Sequence, residues 1–128
     1  MTARILVVED NPLNLKLVRD VLQIAGHDVV EARSGEEALV AAEDAAPDLV
    51  LMDLQLPGID GTETLRRLRQ GLLGEDIPVV AVTAFAMAED RERVALAGFD
   101  GHIEKPISVR ALPGLINGYL ARGGRSDG

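Results

Sequence analysis

The chain contains no cysteine and no tryptophan, and of its 128 residues only Phe85, Phe99 and Tyr119 are aromatic. Without cysteine there is no disulfide, no thiolate metal site and no thiol nucleophile, a pattern that fits a reducing compartment. With so few rings, the core has to be built from Val, Leu, Ile and Ala. No apolar run approaches the ~18 residues that a membrane span needs. The first segment, Met1 to Asp10, enters an apolar stretch at once and then meets Glu9 and Asp10, unlike the cationic start of a signal peptide. Positive charge is also scarce: 13 Lys and Arg stand against 21 Asp and Glu, a formal net charge of −8. Such a surface repels phosphate backbones and anionic lipid, so neither nucleic acid nor a membrane is expected as a partner. These exclusions leave a soluble, acidic domain expected in the cytoplasm.

What is present is a regular order of apolar patterns. A length of 128 residues is close to the commonest size of one domain, and it can bury roughly 70% of the unfolded surface without a metal or disulfide staple. Ile5-Leu6-Val7-Val8, Leu49-Val50-Leu51-Met52 and Val79-Val80-Ala81-Val82 are continuous apolar runs. They do not alternate with polar residues, so they predict strands covered on both faces, as in a parallel sheet. Val29 to Ala32 and His102 to Lys105 are weaker strand candidates. Between them lie helical patterns. Asn11 is placed to cap a helix with Pro12 at its first position and Leu15, Val18, Leu22 and Ala25 on one face, ended by Gly26. Ser34 and Glu37 have capping-box spacing ahead of Ala38, Leu39 and Ala42. Thr62 to Gln70 carries Leu65 and Leu68 among arginines, and Met87 to Ala97 stops at Gly98. Ser108 precedes a last segment whose Leu112, Leu115, Ile116, Tyr119 and Leu120 share a face, with Pro113 marking a start or a bend.

Strand then helix, five times over, predicts an α/β doubly wound, five-stranded parallel sheet: a (βα)5 three-layer sandwich of the flavodoxin-like kind. One unit over residues 1–122 is expected, with 123–128 as a frayed tail, and Met1 with that tail suggests an intact small protein. His27 reads as a loop residue before the second strand.

In an open parallel sheet, ligands bind at the carboxyl ends of the strands, where strand order reverses. The first strand ends in Glu9-Asp10, the third in Asp53, the fourth in Thr83-Ala84 and the fifth in Lys105-Pro106. Each of these alone is unremarkable: an acid at a strand end, an acid before a Pro-Gly turn, a threonine before a helix, a lysine before proline. Together they would place three carboxylates, a hydroxyl and an ammonium at one edge. Carboxylates within ~5 Å repel by about 3 kcal/mol per pair at an effective dielectric of about 20. Lys105 offsets one charge, and the remaining −2 suits a divalent cation. Hard oxygen ligands select Mg²⁺, which prefers one or two carboxylates plus phosphate oxygens. A carboxylate beside such a neutralised pocket can attack phosphorus and form an aspartyl phosphate.

The set Glu9-Asp10, Asp53, Thr83 and Lys105-Pro106, with the strings VVEDNPLN, DLVLMDLQLPGIDG, IPVVAVTAFA and GHIEKPIS, resembles the receiver domain of two-component response regulators, CheY-like proteins. The resemblance runs from Arg4 to about Leu120, and VEDNPLN and VTAFAM look closest to single-domain cell-division regulators of the DivK type and to receiver modules fused to hybrid kinases. It implies a signal-transducing phosphoprotein in a phosphorelay, not an enzyme: a phosphoacceptor switch with Mg²⁺-dependent self-phosphorylation and slow self-dephosphorylation. Asp53 is then the phosphoacceptor. Asp10 and Asp53 hold Mg²⁺ directly, with the backbone carbonyl of Gln55, and Glu9 does so through water. Lys105 and Thr83 meet the phosphoryl oxygens, and the Lys105–Pro106 peptide is expected to be cis. Thr83, Ala84 and His102 form the switch. His102 stands where the family usually has Tyr or Phe, a departure that puts the coupling to the outer face in question. Phe85 and Gln55 suggest slow loss of the phosphoryl group. Implied partners are a sensor histidine kinase or a histidine phosphotransfer protein, docking near Leu13, Asn14 and the Pro57 loop. A downstream protein target would bind the face of the fourth helix, fifth strand and fifth helix, and the chain would be a monomer or weak dimer.

Three other readings compete. An aspartate-nucleophile phosphohydrolase would need an acid where Gln55 stands, and a cap for which there is no room. A nucleotide- or flavin-binding module would need a glycine-rich loop after the first strand, where Glu9-Asp10-Asn11-Pro12 would repel phosphate. A metal-free pseudo-receiver would have no use for all five polar positions.

Overall fold

The three continuous apolar runs become the three inner strands of one parallel sheet. In a computed structural model, which describes residues 2–71, 76–84 and 88–123, β1 (Arg4–Val8), β2 (Asp28–Ala32), β3 (Leu49–Asp53), β4 (Val79–Thr83) and β5 (Gly101–Glu104) are ordered β2-β1-β3-β4-β5. The two weaker strand candidates, β2 and β5, are the edges. A one-sided strand needs less apolar character, and both are partly exposed where β3 and β4 are buried throughout. β5 lies one residue earlier than expected, because Gly101 already pairs with Val80 and the strand ends at Glu104.

Because side chains alternate across a strand, each inner strand feeds two cores. Ile5, Val7, Leu49, Leu51, Val80 and Val82 face α1 (Pro12–Ile24) and α5 (Leu112–Gly123). Leu6, Val8, Val50, Met52, Val79 and Ala81 face α2 (Gly35–Asp44), α3 (Gly61–Gln70) and α4 (Ala88–Ala97). This is the expected three-layer sandwich. Among the described residues, no helix is long and apolar enough to cross a membrane.

The caps follow the sequence. Asn11 accepts from the amides of Leu13 and Asn14 with Pro12 at the first position, and Gly26 leaves α1 at a φ of 97° that favours glycine. Ser34 accepts from Glu37, while the Glu37 carboxylate accepts from the Arg33 amide one residue outside the usual box. Asp60 caps α3.

Two expectations need correction. Ala25 is the exposed C-cap of α1 rather than part of its buried face. Leu115 is 43% exposed, because α5 buries Leu112 and Ile116 and turns the next position outward. His27 stands, as expected, in the loop just before β2, but its ring turns inward: it is 4% exposed, and its Nδ1 accepts the Ala3 amide at 3.1 Å. The ring ties the start of β1 to the end of α1. Replacing His27 by alanine leaves that amide buried without a partner and is expected to cost about 1–3 kcal/mol, measured as a lower urea midpoint. α5 runs to Gly123, one residue beyond the expected unit. Met87, Phe85 and residues 124–128 lie outside the described residues.

Candidate acidic phosphoacceptor site

The strand order reverses between β1 and β3, since β1 leads outward to β2 while β3 leads to β4 and β5. The crevice at that point opens at the carboxyl ends of the strands, and the sequence has put its acids there. Glu9 follows β1 directly, and its amide donates to Ala32 O at 3.0 Å, which continues the pairing with β2 beyond the strand. Asp53 is the last residue of β3 and lies level with Val82 on β4. Glu9 and Asp53 are buried, whereas Asp10, next along the chain, is exposed. One carboxylate oxygen from each of Glu9, Asp10 and Asp53 can be chosen so that all lie within 4.8 Å of one another.

Each buried acid is aimed by an amide two residues further on. Asp53 Oδ1 accepts the Gln55 N–H at 2.9 Å, and Glu9 Oε2 accepts the Asn11 N–H at 3.1 Å. Lys105 takes the remaining oxygens: its Nζ stands 2.9 Å from Asp53 Oδ2 and 3.2 Å from Glu9 Oε1. The lysine is delivered by the edge strand, because its own amide donates to Thr83 O at 2.9 Å just past the β4–β5 ladder. The Lys105–Pro106 peptide is cis. Gly61, the first residue of α3, completes the wall. A Cβ there would lie 2.8 Å from Asp53 O, so only glycine lets the helix approach the strand end this closely.

The electrostatics follow from burial. Desolvation, then the hydrogen bond with Asp53, push the Glu9 carboxyl up to about 6, while the Asn11 amide and Lys105 pull the other way and the charge on Asp53 adds to the rise. Burial pulls the Lys105 ammonium down, but its contacts with Asp53 and Glu9 outweigh that and hold it above its ordinary value. Three carboxylates and one ammonium leave a net −2 in a pocket with two walls buried. An octahedral Mg²⁺ with oxygens at about 2.1 Å brings its ligands within about 4.2 Å of one another. An all-oxygen set already within 4.8 Å, with Asp10 on the solvent side, needs only a small contraction to reach this span and fits that ion.

Of the residues singled out in the sequence, Glu9, Asp10, Asp53 and Lys105 are brought together at one end of the sheet. Thr83 is buried at the end of β4, one strand over. Gln55 is exposed and contributes through its backbone. Ala84 is exposed beyond the strand. His102 lies away from the basin: it pairs with Ala81, two positions back from Thr83, on a half-buried stretch of β5. The sequence reading missed Asn11 as a partner of Glu9, having assigned it only as a helix cap, and missed the amide of Gln55. The signal was available, since a side-chain oxygen bonding the amide two residues on is the commonest local turn made by acids. Gly61 carried no signal of its own.

The description "Response regulator receiver domain" matches residues 5–117. The chain is 46% identical over 120 residues to the polar-differentiation response regulator DivK of Brucella ovis, covering 94% of this chain and 98% of that protein. Among solved structures, a CheY-like response regulator receiver domain protein from Methanospirillum hungatei superposes with a TM-score of 0.88 at 29% identity, covering 98% of this chain and 99% of that one. The chemotaxis response regulator CheY4 of Vibrio cholerae gives a TM-score of 0.87 at 26% identity, covering 93% of this chain and 99% of the other. With its sheet order, its acidic crevice and these likenesses, the chain belongs to the response regulator receiver domains of two-component signalling.

Proposed function

We propose that Asp53 is the phosphoacceptor of a Mg²⁺-dependent switch, charged by the phosphohistidine of a sensor histidine kinase or a histidine phosphotransfer protein. The observation that carries this reading is the Lys105 ammonium bridging Asp53 and Glu9 at 2.9 and 3.2 Å inside a three-carboxylate cluster. Asp10 and Asp53, the backbone carbonyl of Gln55 and, through water, Glu9 would hold Mg²⁺. When bound, the ion neutralises the phosphoryl oxygens and the cluster.

The chain's own part is positioning and charge. The Gln55 amide fixes Asp53 Oδ1, and the oxygen now facing Lys105 is the one a phosphoryl group would share. As the Asp53 oxygen–phosphorus bond forms, the phosphorus–nitrogen bond to the donor imidazole breaks and that nitrogen takes up a proton. Lys105 then exchanges its contact with Asp53 for one to a phosphoryl oxygen, and the Thr83 hydroxyl donates to another. These charge-assisted bonds bias the arrangement of Ala84, just past β4, and of the His102 side chain on β5, so the switch is a population shift. The altered face of α4, β5 and α5 would meet a downstream protein in the cytoplasm, with the chain a monomer or weak dimer and residues 1–122 as the receiver unit. Donor proteins would dock near Leu13, Asn14 and Pro57, all solvent-accessible beside the crevice. No turnover of an outside substrate is involved. Gln55 offers an amide, which cannot act as a general base toward water, so self-dephosphorylation is slow.

Incubation with acetyl phosphate followed by intact mass tests this directly. The expected result is a gain of one phosphoryl group that requires Mg²⁺ and is absent in Asp53→Asn. Modification without the metal, or persisting in Asp53→Asn, would overturn it.

A further inference from the structure

Residues 54–60 join Asp53, at the end of β3, to the first turn of α3. This loop carries Gln55, whose amide fixes Asp53 and whose carbonyl the function proposed above gives to Mg²⁺. The backbone ties the loop at its ends: the Leu54 amide donates to Val82 O at 3.2 Å, and the Gly61 amide donates to Leu54 O at 3.4 Å. Its middle is held differently. Pro57 followed by Gly58 at a φ of 75° is the pairing found at the two central positions of a type II turn. In such a turn the fourth residue, here Ile59, often returns its amide to the carbonyl of the first, here Leu56. The Ile59 amide instead donates to Glu36 Oε2 at 3.3 Å, on the first turn of α2 and twenty-three positions away. Among the described residues, it is the one hydrogen bond that ties residues 56–59 to another part of the fold.

Packing puts Glu36 there. Gly35, the first residue of α2, is buried: a Cβ on it would overlap Thr64 Oγ1 and lie 2.6 Å from Ile59 Cγ1. The start of α2 is thereby seated against α3 and the Ile59 side chain. A Cβ on Gly58 would stand 2.6 and 2.9 Å from the two Glu36 oxygens, so the carboxylate occupies space that any other residue at 58 would need. Glu36 itself stands outside the three-carboxylate cluster and is exposed. We propose that Glu36 is a positioning residue for the phosphoacceptor site: by holding the Pro57-Gly58-Ile59 turn against α2, it keeps the loop, and the Gln55 backbone within it, in the arrangement that takes the ion. The inference rests on the roles proposed above for Asp53 and Gln55. What Glu36 supplies is an acceptor for an amide rather than a charge for the basin. A loop released from it samples other arrangements, and the apparent affinity for an ion falls by the fraction of time the competent one is populated.

Three variants separate the acceptor from the charge. Glu36→Ala removes both, Glu36→Gln keeps a side-chain oxygen that can accept the same amide, and Glu43→Ala removes an equal charge from an exposed position in the last turn of α2. By calorimetric titration, Glu36→Ala is expected to bind Mg²⁺ at least about fivefold more weakly, with the other two within about twofold of the parent chain. Hydrogen exchange in the metal-free proteins gives a second readout. The Ile59 amide should exchange at least about tenfold faster in Glu36→Ala, while amides in β3 and β4 keep their rates, a pattern that a general loss of stability would not produce. Equal weakening in Glu36→Ala and Glu36→Gln would assign the effect to charge and overturn the proposal, as would faster exchange throughout β3 and β4. A parent chain that takes up no Mg²⁺ would overturn the proposed basin and this role with it, whereas uptake that Glu36→Ala leaves unchanged would overturn the role of Glu36 alone.

Discussion

Lys105→Ala is expected to bind Mg²⁺ more tightly than the unmodified chain and yet to accept a phosphoryl group at least about a hundredfold more slowly. The two effects have opposite signs because the ammonium stands in the same basin as the ion but serves a different partner. In the resting site, Lys105 neutralises part of the charge on Glu9 and Asp53 at 3.2 and 2.9 Å. Removing it takes the net charge of the cluster from −2 to −3, which strengthens the attraction for a divalent cation. During transfer, charge accumulates on the phosphoryl oxygens, and an oriented donor there is worth several kcal/mol because it needs no reorganisation. Calorimetric Mg²⁺ titration reads the first effect and the time course of intact mass with acetyl phosphate reads the second. Weaker Mg²⁺ binding in the variant would mean that Lys105 holds the carboxylates in place rather than merely opposing them. Lys105→Met, which keeps most of the side-chain volume, separates charge from packing and should behave as the alanine variant does.

The metal-free protein is expected to lose about 2 kcal/mol of stability between pH 4.5 and a little above 6, a window in which most acidic domains change little. The cause is Glu9, whose carboxyl is pushed up to about 6 from 4.5 by burial and by Asp53. A raised carboxyl pKa means that the folded chain binds the proton more tightly than the unfolded one. Between the two values the folded state therefore holds more protons, and stability falls as pH rises. The loss is complete above the folded value, and the distance from 4.5 to about 6 corresponds to about 2 kcal/mol. Glu63, pushed down to about 2 first by Arg66 and then by Arg67, acts with the opposite sign and in a lower window. Urea unfolding across this range should show a falling midpoint that Glu9→Gln flattens. Added Mg²⁺ should restore the stability lost above pH 6, since the ion replaces the proton as counter-charge. A midpoint that rises through the same window would contradict the buried position of Glu9.

Much of this architecture is legible in the sequence because a parallel sheet imposes few options. Runs such as Leu49-Val50-Leu51-Met52 can only be satisfied between two helical layers, and strands covered in this way must all point the same direction to be joined by helices. Their carboxyl ends then meet at one edge, so residues that terminate four separate runs are neighbours before any coordinates exist. What the sequence does not carry is the depth of each group. Glu9 and Asp10 are adjacent and chemically alike, yet one is buried and the other exposed, because successive residues at a strand end leave on opposite sides. His27 is legible as a loop residue, but nothing in its neighbours reveals that its ring turns inward to the Ala3 amide, twenty-four positions away. Leu115 looked buried because helical spacing gives a face only to within one position.

Among the described residues, the basin's one cation, Lys105, arrives with the end of the last strand, and that strand is held along one side alone. Fifty-two positions separate Lys105 from the Asp53 that it meets. During synthesis, therefore, both buried acids belong to segments completed well before their counter-charge leaves the ribosome. A nascent chain that stops short of β5 carries two mutually repelling anions at the edge of a core that still lacks Ile103, Leu112 and Ile116, and it can settle only by holding a proton or borrowing a cation. The same order applies in reverse. Peeling β5 from β4 would withdraw the lysine and silence the chemistry while the inner sheet stays intact.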